Sequence, residues 1–350
     1  MTKKDIQIYG AGLSGLVAAI NLARDGHNVI VHEKEKRIGG TSKCNPSVHM
    51  TPMHIEKMQR YIGIKIEPCF TKLDAFKGYI GPKKYIFSTK NLYVVERGLR
   101  ESSLDNFLHK IALESGVDFK FSHPLTHEKL RDIPNNSIIA TAGYSQLVKD
   151  LRLPYLIFKQ YDTHMKKDLG NIAVAYFGKY TPDYGYISCK NGILSAQLSG
   201  SPSLSQKNLE EFMYVVKETE GIELDGWSSI VSYFPKRARL FTKYSEKTFV
   251  LAGDLAGFLD PFFGFGVNGA LISGKIAAMS QISKQKALYE FKKFTSKINK
   301  NLLLHTIYWH LPFKKLIISQ MMKYLRDAYL IEGSIPGFTD EDWLKIVSIN

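Results

Sequence analysis

Six glycines and two carboxylates carry most of the chemistry legible in this chain. Gly10, Gly12 and Gly15 in YGAGLSGL hold the GxGxxG spacing, and Gly264, Gly266 and Gly269 in FLDPFFGFGVNGALISGK repeat it in the last third of the sequence. Before the first cluster, DIQIY alternates and then turns apolar; after it, VAAINLARDG has helical spacing up to Gly26. The next segment, HNVIVHEK, is a second strand that ends on Glu33. Strand, glycine turn, helix and a carboxylate at that offset form a dinucleotide site. Gly10 gives the tight turn, Gly12 lets a pyrophosphate reach the backbone, and Gly15 brings helix and strand together. Leu13 and Ser14 open the helix, whose free N–H groups and positive dipole end favour phosphate. Glu33 can accept both hydroxyls of an adenosine ribose.

The second cluster is not a second copy of this unit. A repeat would need its strand to run straight into the first glycine. Here the apolar strand TFVLAG gives out at Asp254, and about ten residues with Pro261 among them intervene before Gly264.

Other segments carry a resemblance that explains both clusters. KEKRIGGTSKC, after Glu33, is similar to the FAD-binding enzymes of the glutathione-reductase superclass, with Lys34, Gly39 and Gly40 matching the basic residue and Gly-Gly pair. VVERGLRESSLDNFLHKIALESG resembles the segment of para-hydroxybenzoate-hydroxylase-type flavoproteins in which an arginine precedes a helix, and Arg97 stands in that arginine's place. The resemblance implies that Arg97 reaches the FAD pyrophosphate, a task suited to a guanidinium fork. SIIATAGYSQLVKDLRLP matches the family's ATG or ADG element through Gly143, with Ala142 where the hydroxylases usually have aspartate. AGDLAGFLDPFFGFGVNG matches the GD and DPxxGxG elements. By this resemblance Gly253 and Asp254 hold the ribityl chain, while Gly264, Gly266, Val267 and Asn268 aim backbone N–H groups at the pyrimidine side of the flavin, where reduction leaves negative charge. Both clusters then serve one FAD.

Within the superfamily, TPDYGYISCKNG is similar to the aromatic signature of the geranylgeranyl reductase branch. Pro182, Tyr184 and Tyr186 match or nearly match it, and Ser188 and Cys189 replace a phenylalanine and a proline. Cys44, in GGTSKCNPSVH, matches a cysteine near the isoalloxazine in that branch. The branch implies hydride transfer from reduced FAD to carbon–carbon double bonds of an isoprenoid chain, with Tyr184 and Tyr186 on the substrate and Cys44 or water giving the proton. The competing reading is an FAD monooxygenase acting on an aromatic or lipophilic substrate. The tryptophan-bearing signature of flavin halogenases is absent. A prenyl-lipid carrier that has lost its chemistry is opposed by the intact GD and DPxxGxG elements. NAD(P)H or a ferredoxin would supply electrons.

The expected fold class is α/β: a Rossmann-like FAD-binding domain of the glutathione-reductase/hydroxylase type, with an inserted antiparallel β-sheet substrate module and C-terminal helices. Segments 1–45, 90–155 and 245–283 would form the discontinuous FAD domain. Segments 46–89 and 156–244, where NIAVAYFG, YGYISC, GILSAQLS and SSIVSYFP alternate between turns, would form the substrate module, and 284–350 a helical region. At 350 residues the chain can bury a large core. Its three cysteines, Cys44, Cys69 and Cys189, are too few for a disulfide framework, and His32, His49, His54, His305 and His310 show no metal-ligand spacing. The net charge of +14 comes with no nucleic-acid-binding pattern. No export signal or span-length apolar run is visible, so a cytoplasmic setting is expected. The lysine-rich, aromatic stretch after residue 286, broken around Pro312, could lie peripherally on an anionic membrane.

Overall fold

The computed structural model describes residues 2–40, 45–142, 145–181, 183–260, 264–310 and 346–349. Strand Asp5–Tyr9 pairs in parallel with Asn28–His32 on one side and Ile138–Ile139 on the other. Asp118–Lys120 and Lys247–Leu251 extend this sheet in parallel at either side, and Phe241–Tyr244 closes one edge antiparallel. Three neighbouring parallel strands therefore end side by side: one in Gly10–Gly12, one in Ala140–Ala142, one in Gly253–Asp254. The carboxyl ends of parallel strands are where such a sheet opens toward a ligand.

Helix Leu13–Arg24 is apolar on almost every side because it is sandwiched, packing against helices Val267–Ile282 and Leu104–Glu114. The turn that feeds it is so close that a Cβ on Gly15 would run into the Gly10 carbonyl oxygen. Ile8, Leu16, Ile20, Val31, Leu108 and Ile276 are fully buried in this core.

A second sheet of eight strands, running in order Ser228–Pro235, Tyr155–Lys166, Ile193–Gly200, Gly185–Lys190, Ile172–Phe177, Ala75–Ile80, Lys83–Phe87 and Ile346–Ile349, stands over the first. One face is covered by helix Gln206–Glu220, whose Phe212 and Val216 bury against Tyr176, Ile187 and Leu198. Successive side chains in a strand point to opposite faces, so Ala173, Ala175 and Phe177 face the other way. A three-stranded sheet, Ser47–Pro52, Leu92–Arg97 and Phe70–Lys72, joins the two. Val48 N–H donates to Ser195 Oγ at 2.8 Å, Ser188 Oγ–H donates to the Val48 carbonyl at 2.6 Å, and buried Lys190 donates to the Cys69 carbonyl at 2.6 Å. The sequence expects helices throughout 284–350. Lys284–His310 is one helix, but Ile346–Ile349 is a strand pairing antiparallel with Lys83–Phe87, where β-branched residues find an open sheet edge. Pro312 lies outside the described residues.

Candidate active site

The three strand ends, the start of helix Val267–Ile282 and the open face of the eight-stranded sheet enclose a cavity of about 440 Å³. Its floor is Gly12, Leu13, Ser14, Gly253 and Asp254, its rim Gly264, Gly266 and Val267. Gly12 has room above it: a Cβ there would meet nothing within 4 Å. That open backbone at a helix N-terminus is a seat for an anion, and no side chain caps the helix. Below the same turn, Glu33 is buried, accepting from Ala11 N–H at 2.8 Å and Glu35 N–H at 2.9 Å. The two bonds fix the carboxylate while each oxygen keeps a second lone pair for a hydroxyl.

Arg97 reaches the cavity from the end of its strand, and the sequence does not reveal how it is held. Its Nε and Nη2 donate to Asp105 at 2.7 and 2.9 Å, and Asp105 also accepts from Gly98 N–H at 3.0 Å. Burial pushes the Asp105 carboxyl up, but the Arg97 guanidinium and the backbone N–H bonds together outweigh that and hold it below its usual value. The pair aims a permanent cation at the cavity. Asp254 is the opposite case: burial raises its pKa, and Arg97 opposes the shift. His49 also lines the cavity, where burial and then Arg97 lower its pKa to about 4, so the imidazole is neutral at ordinary pH. Its Nε2 lies 2.9 Å from Ser47 Oγ.

The second glycine cluster divides its labour. Gly264 has φ +65° and lies directly under the Tyr184 hydroxyl, so a side chain there would be both strained and obstructed. Gly266 precedes a helix of 16 residues with no side-chain cap, leaving its first N–H groups facing the cavity. Gly269 lies outside the cavity wall and instead lets the helix approach Phe258.

The sheet wall is largely apolar. Leu156 and Phe158 come from one strand, Phe234 from its neighbour, Phe76, Ala175 and Phe177 from others. Phe158 and Phe234 meet edge to face at 5.3 Å, and Tyr184 stacks on Tyr186 at 6.3 Å. Burial, then Tyr186, Asp183 and Asp260, hold the Tyr184 phenol well above its usual pKa. Tyr184, Tyr186 and Ile187 therefore belong to the cavity wall, while Cys189 on the same strand packs in the core beneath helix Gln206–Glu220.

Not every expected residue comes to this cavity. Lys34 is on the surface beside Glu35, 3.6 Å away, because a long charged side chain at a strand end is solvated more cheaply than buried. Gly40 also lies outside the wall, and its neighbour Gly39 packs against Gly98. The Asn268 side chain is buried and donates to the Pro52 carbonyl at 2.7 Å, tying the helix start to the three-stranded sheet. Cys44 and Gly143 lie outside the described residues, as does Pro182. Asp105, His49, Phe158 and Phe234 are the residues that sequence reasoning missed; only the alternation of the strands bearing the two phenylalanines carried a signal. Among the described residues no group of three His, Cys, Asp or Glu is placed to hold a metal ion, and no helix is long and apolar enough to cross a membrane.

Residues 5–142 match the family model for FAD dependent oxidoreductases. Among curated relatives, flavin-containing monooxygenase FMO GS-OX-like 6 of Arabidopsis thaliana is 38% identical over 56 residues, which is 16% of this chain and 12% of that protein. The GS-OX-like 5 protein of the same plant is 43% identical over 51 residues, 15% of this chain and 11% of its own length. These stretches are short shares of both partners. Solved structures match across nearly the whole chain. A geranylgeranyl bacteriochlorophyll reductase-like protein from Thermoplasma acidophilum superposes with TM-score 0.68 at 14% identity, covering 93% of this chain and 92% of its own. A flavin-dependent brominase gives 0.62 at 15%, covering 93% and 91%. A p-nitrophenol 4-monooxygenase from Pseudomonas putida gives 0.62 at 14%, covering 92% and 94%. The chain has the fold of these flavin-dependent oxidoreductases.

Proposed function

We propose that this protein binds FAD and is an oxidoreductase that reduces carbon–carbon double bonds in an isoprenoid-type lipid. The observation that carries the reading is the apolar, aromatic sheet wall set over the uncapped helix start at Gly266 and Val267. The residues fit the cofactor along its length. Glu33 is fixed for the ribose hydroxyls, Gly12 leaves its backbone open to the pyrophosphate, and Arg97 adds a cation held by Asp105. Asp254 is at hand for the ribityl chain, and the N–H groups at the start of helix Val267–Ile282 for the pyrimidine edge.

When bound, FAD supplies the hydride. The protein's share is to place the alkene and to exclude water. Phe158, Phe234, Phe177 and Leu156 surround a hydrocarbon chain without leaving any of its atoms a polar partner to lose, while Gln160 and Gln197 mark polar points on the same wall. Tyr184, protonated at neutral pH, sits over Gly264 where a substrate end would meet the ring. Reduction needs one proton at the carbon opposite the one that takes the hydride, and the proposal assigns it to Cys44 or water. NAD(P)H would return the electron pair as hydride, or a ferredoxin would return it in two one-electron steps with a proton from water.

The test is anaerobic. The purified protein is reduced with dithionite, a geranylgeranyl lipid is added, and the flavin spectrum and product mass are followed. Reoxidation without oxygen, with a gain of two mass units per bond, is the expected result. A flavin that stays reduced with the lipid, and that hydroxylates it only when oxygen enters, overturns the reductase assignment in favour of a monooxygenase.

A further inference from the structure

The helix Lys284–His310 has one face in the core and another that none of the described residues covers. Ala287, Phe291, Phe294, Ile298 and Leu302 are buried, and Leu302 forms part of the cavity wall. Immediately beyond it, Leu303, Leu304 and Ile307 are 62%, 45% and 51% exposed, and Tyr289 is 70% exposed. At 3.6 residues per turn, the 18 positions from Tyr289 to Ile307 make about five turns, so the two point the same way about 27 Å apart along the helix. Lys292 and Lys300 are exposed on that side between them. The helix carries six lysines and one acid. That acid, Glu290, is half-buried and accepts from Tyr61 O–H at 3.4 Å, and it offsets only one of the six lysine charges. Apolar side chains at one end, an aromatic ring at the other and lysines between them match the interfacial region of an anionic bilayer, with rings and aliphatic groups in the acyl boundary and ammonium groups at the headgroups. A protein partner would need complementary acids and a shaped groove; a lipid surface needs only area and charge.

We infer that this helix lies flat on an anionic lipid surface, and that the cavity takes its substrate from that surface past Leu302. The docking stands on the helix alone; the loading route rests on the lipophilic-substrate reading above. The cavity-wall residue Leu302 and the exposed Leu303 are adjacent in the chain, so a chain leaving the bilayer need not cross water.

The experiment is flotation of the full-length protein with vesicles of phosphatidylcholine alone and of phosphatidylcholine mixed with phosphatidylglycerol. Binding is expected to the mixed vesicles, to weaken with added salt as surface charge is screened, and to be slight on neutral ones. Each lysine near an anionic surface contributes about fivefold in partitioning, so Lys292→Glu with Lys300→Glu lowers binding by about 25-fold or more. Leu303→Glu with Ile307→Glu withdraws two apolar anchors, each worth roughly tenfold. Neither pair lines the cavity, and unchanged melting temperature and flavin content identify properly folded variants. Absence of wild-type flotation overturns the docking, as does flotation that both double variants retain. A wild-type dimer that Leu303→Glu with Ile307→Glu dissociates, without vesicle binding, assigns the face to a second copy instead. Reduced protein is finally offered the lipid in vesicles and in detergent. Docking with turnover of neither form refutes the substrate reading while leaving the docking intact; equal turnover of both by the non-docking variant refutes the loading route.

Discussion

Gly12→Ala separates a glycine kept for a ligand from one kept for the fold. Gly12 has φ −72° and ψ 178°, extended backbone that alanine adopts freely, and nothing lies within 4 Å of the position its Cβ would take. Removing glycine from the unfolded chain stabilises by about 0.4–1 kcal/mol, and the poorer helix cap costs about as much, so the flavin-free protein keeps its stability within about 1 kcal/mol. The new methyl nevertheless stands where a pyrophosphate oxygen must approach the helix N–H groups. Losing one hydrogen bond to a charged oxygen costs about 1.5–3 kcal/mol, or from about tenfold to more than a hundredfold in FAD affinity. Gly15→Ala serves as the contrast: its methyl meets the Gly10 carbonyl inside the fold, and the flavin-free protein itself is destabilised. Thermal unfolding by circular dichroism reads the first quantity, and titration with FAD by quenching of flavin fluorescence reads the second. If Gly12→Ala binds FAD as the parent does, or if it unfolds as early as Gly15→Ala, the assignment of the open backbone to the pyrophosphate is wrong.

Asp105→Ala leaves the Arg97 guanidinium without its partner. Breaking a buried pair costs about 3–5 kcal/mol, and Arg97 is 26% exposed, so the lower end, about 3 kcal/mol, is expected in denaturant melts. Because the Asp105 pKa is lowered in the fold, its contribution is present above the usual carboxylate pKa and is lost as the pH falls through the folded value; an acid titration of stability shows this slope in the parent and not in the variant. Asp254 has the reverse sign: its raised pKa means that the flavin-free fold loses stability as the pH climbs from the ordinary carboxylate value through the folded one. Asp254→Asn should flatten that loss while lowering FAD occupancy, and occupancy equal to the parent's removes the ribityl role. Phe158→Gln places an amide in the apolar wall and should raise KM for a lipophilic substrate about tenfold, with FAD binding unchanged; parallel loss of FAD would mean that the sheet wall serves the cofactor instead.

The glycine turn at the floor of the cavity was legible because it is local. Gly10 to Gly15 and Glu33 lie within one strand–turn–helix–strand unit, and sequence spacing alone sets their relation. The GD and DPxxGxG elements were legible for the same reason. The wall was not, since Phe76, Phe158 and Phe234 come from strands far apart in the chain and only strand order brings them together. Alternation says that a strand has two faces, not which one meets a cavity; Tyr186 lines the cavity while Cys189, three residues on, is in the core behind the sheet. Lys34 matches the pattern of a basic residue beside the acid whether or not its side chain turns inward, and here it is exposed beside Glu35. The terminal strand Ile346–Ile349 was hidden because four residues form a strand only when an unpaired edge such as Lys83–Phe87 awaits them.

The two glycine clusters are alike in spacing and differ in what their third glycine does, and that difference explains why one motif could be used twice around one cavity. In the first, Gly15 brings a helix onto the strand it follows; in the second, Gly269 brings a helix onto the loop at Phe258. Both place an uncapped helix start at the same opening, one over Gly12 and the other over Gly266. The helices themselves then pack together, closely enough that a Cβ on Gly274 would strike the Ser14 carbonyl. Two positive helix ends converging on one cavity would repel each other without an anion between them. Arg97 lies in the same field with its charge balanced by Asp105, and burial raises the pKa of Asp254 while Arg97 opposes the rise. A ligand negative at the diphosphate and electron-accepting at its ring satisfies both ends at once, so the unliganded cavity should gain stability on binding such an anion in proportion to its concentration over Kd. Adenosine diphosphate carries only the first half of that charge pattern. It should therefore raise the melting temperature of the flavin-free protein, FAD should raise it further, and riboflavin alone should do least; a ranking with riboflavin first would place the binding energy in the sheet wall rather than at the helix ends.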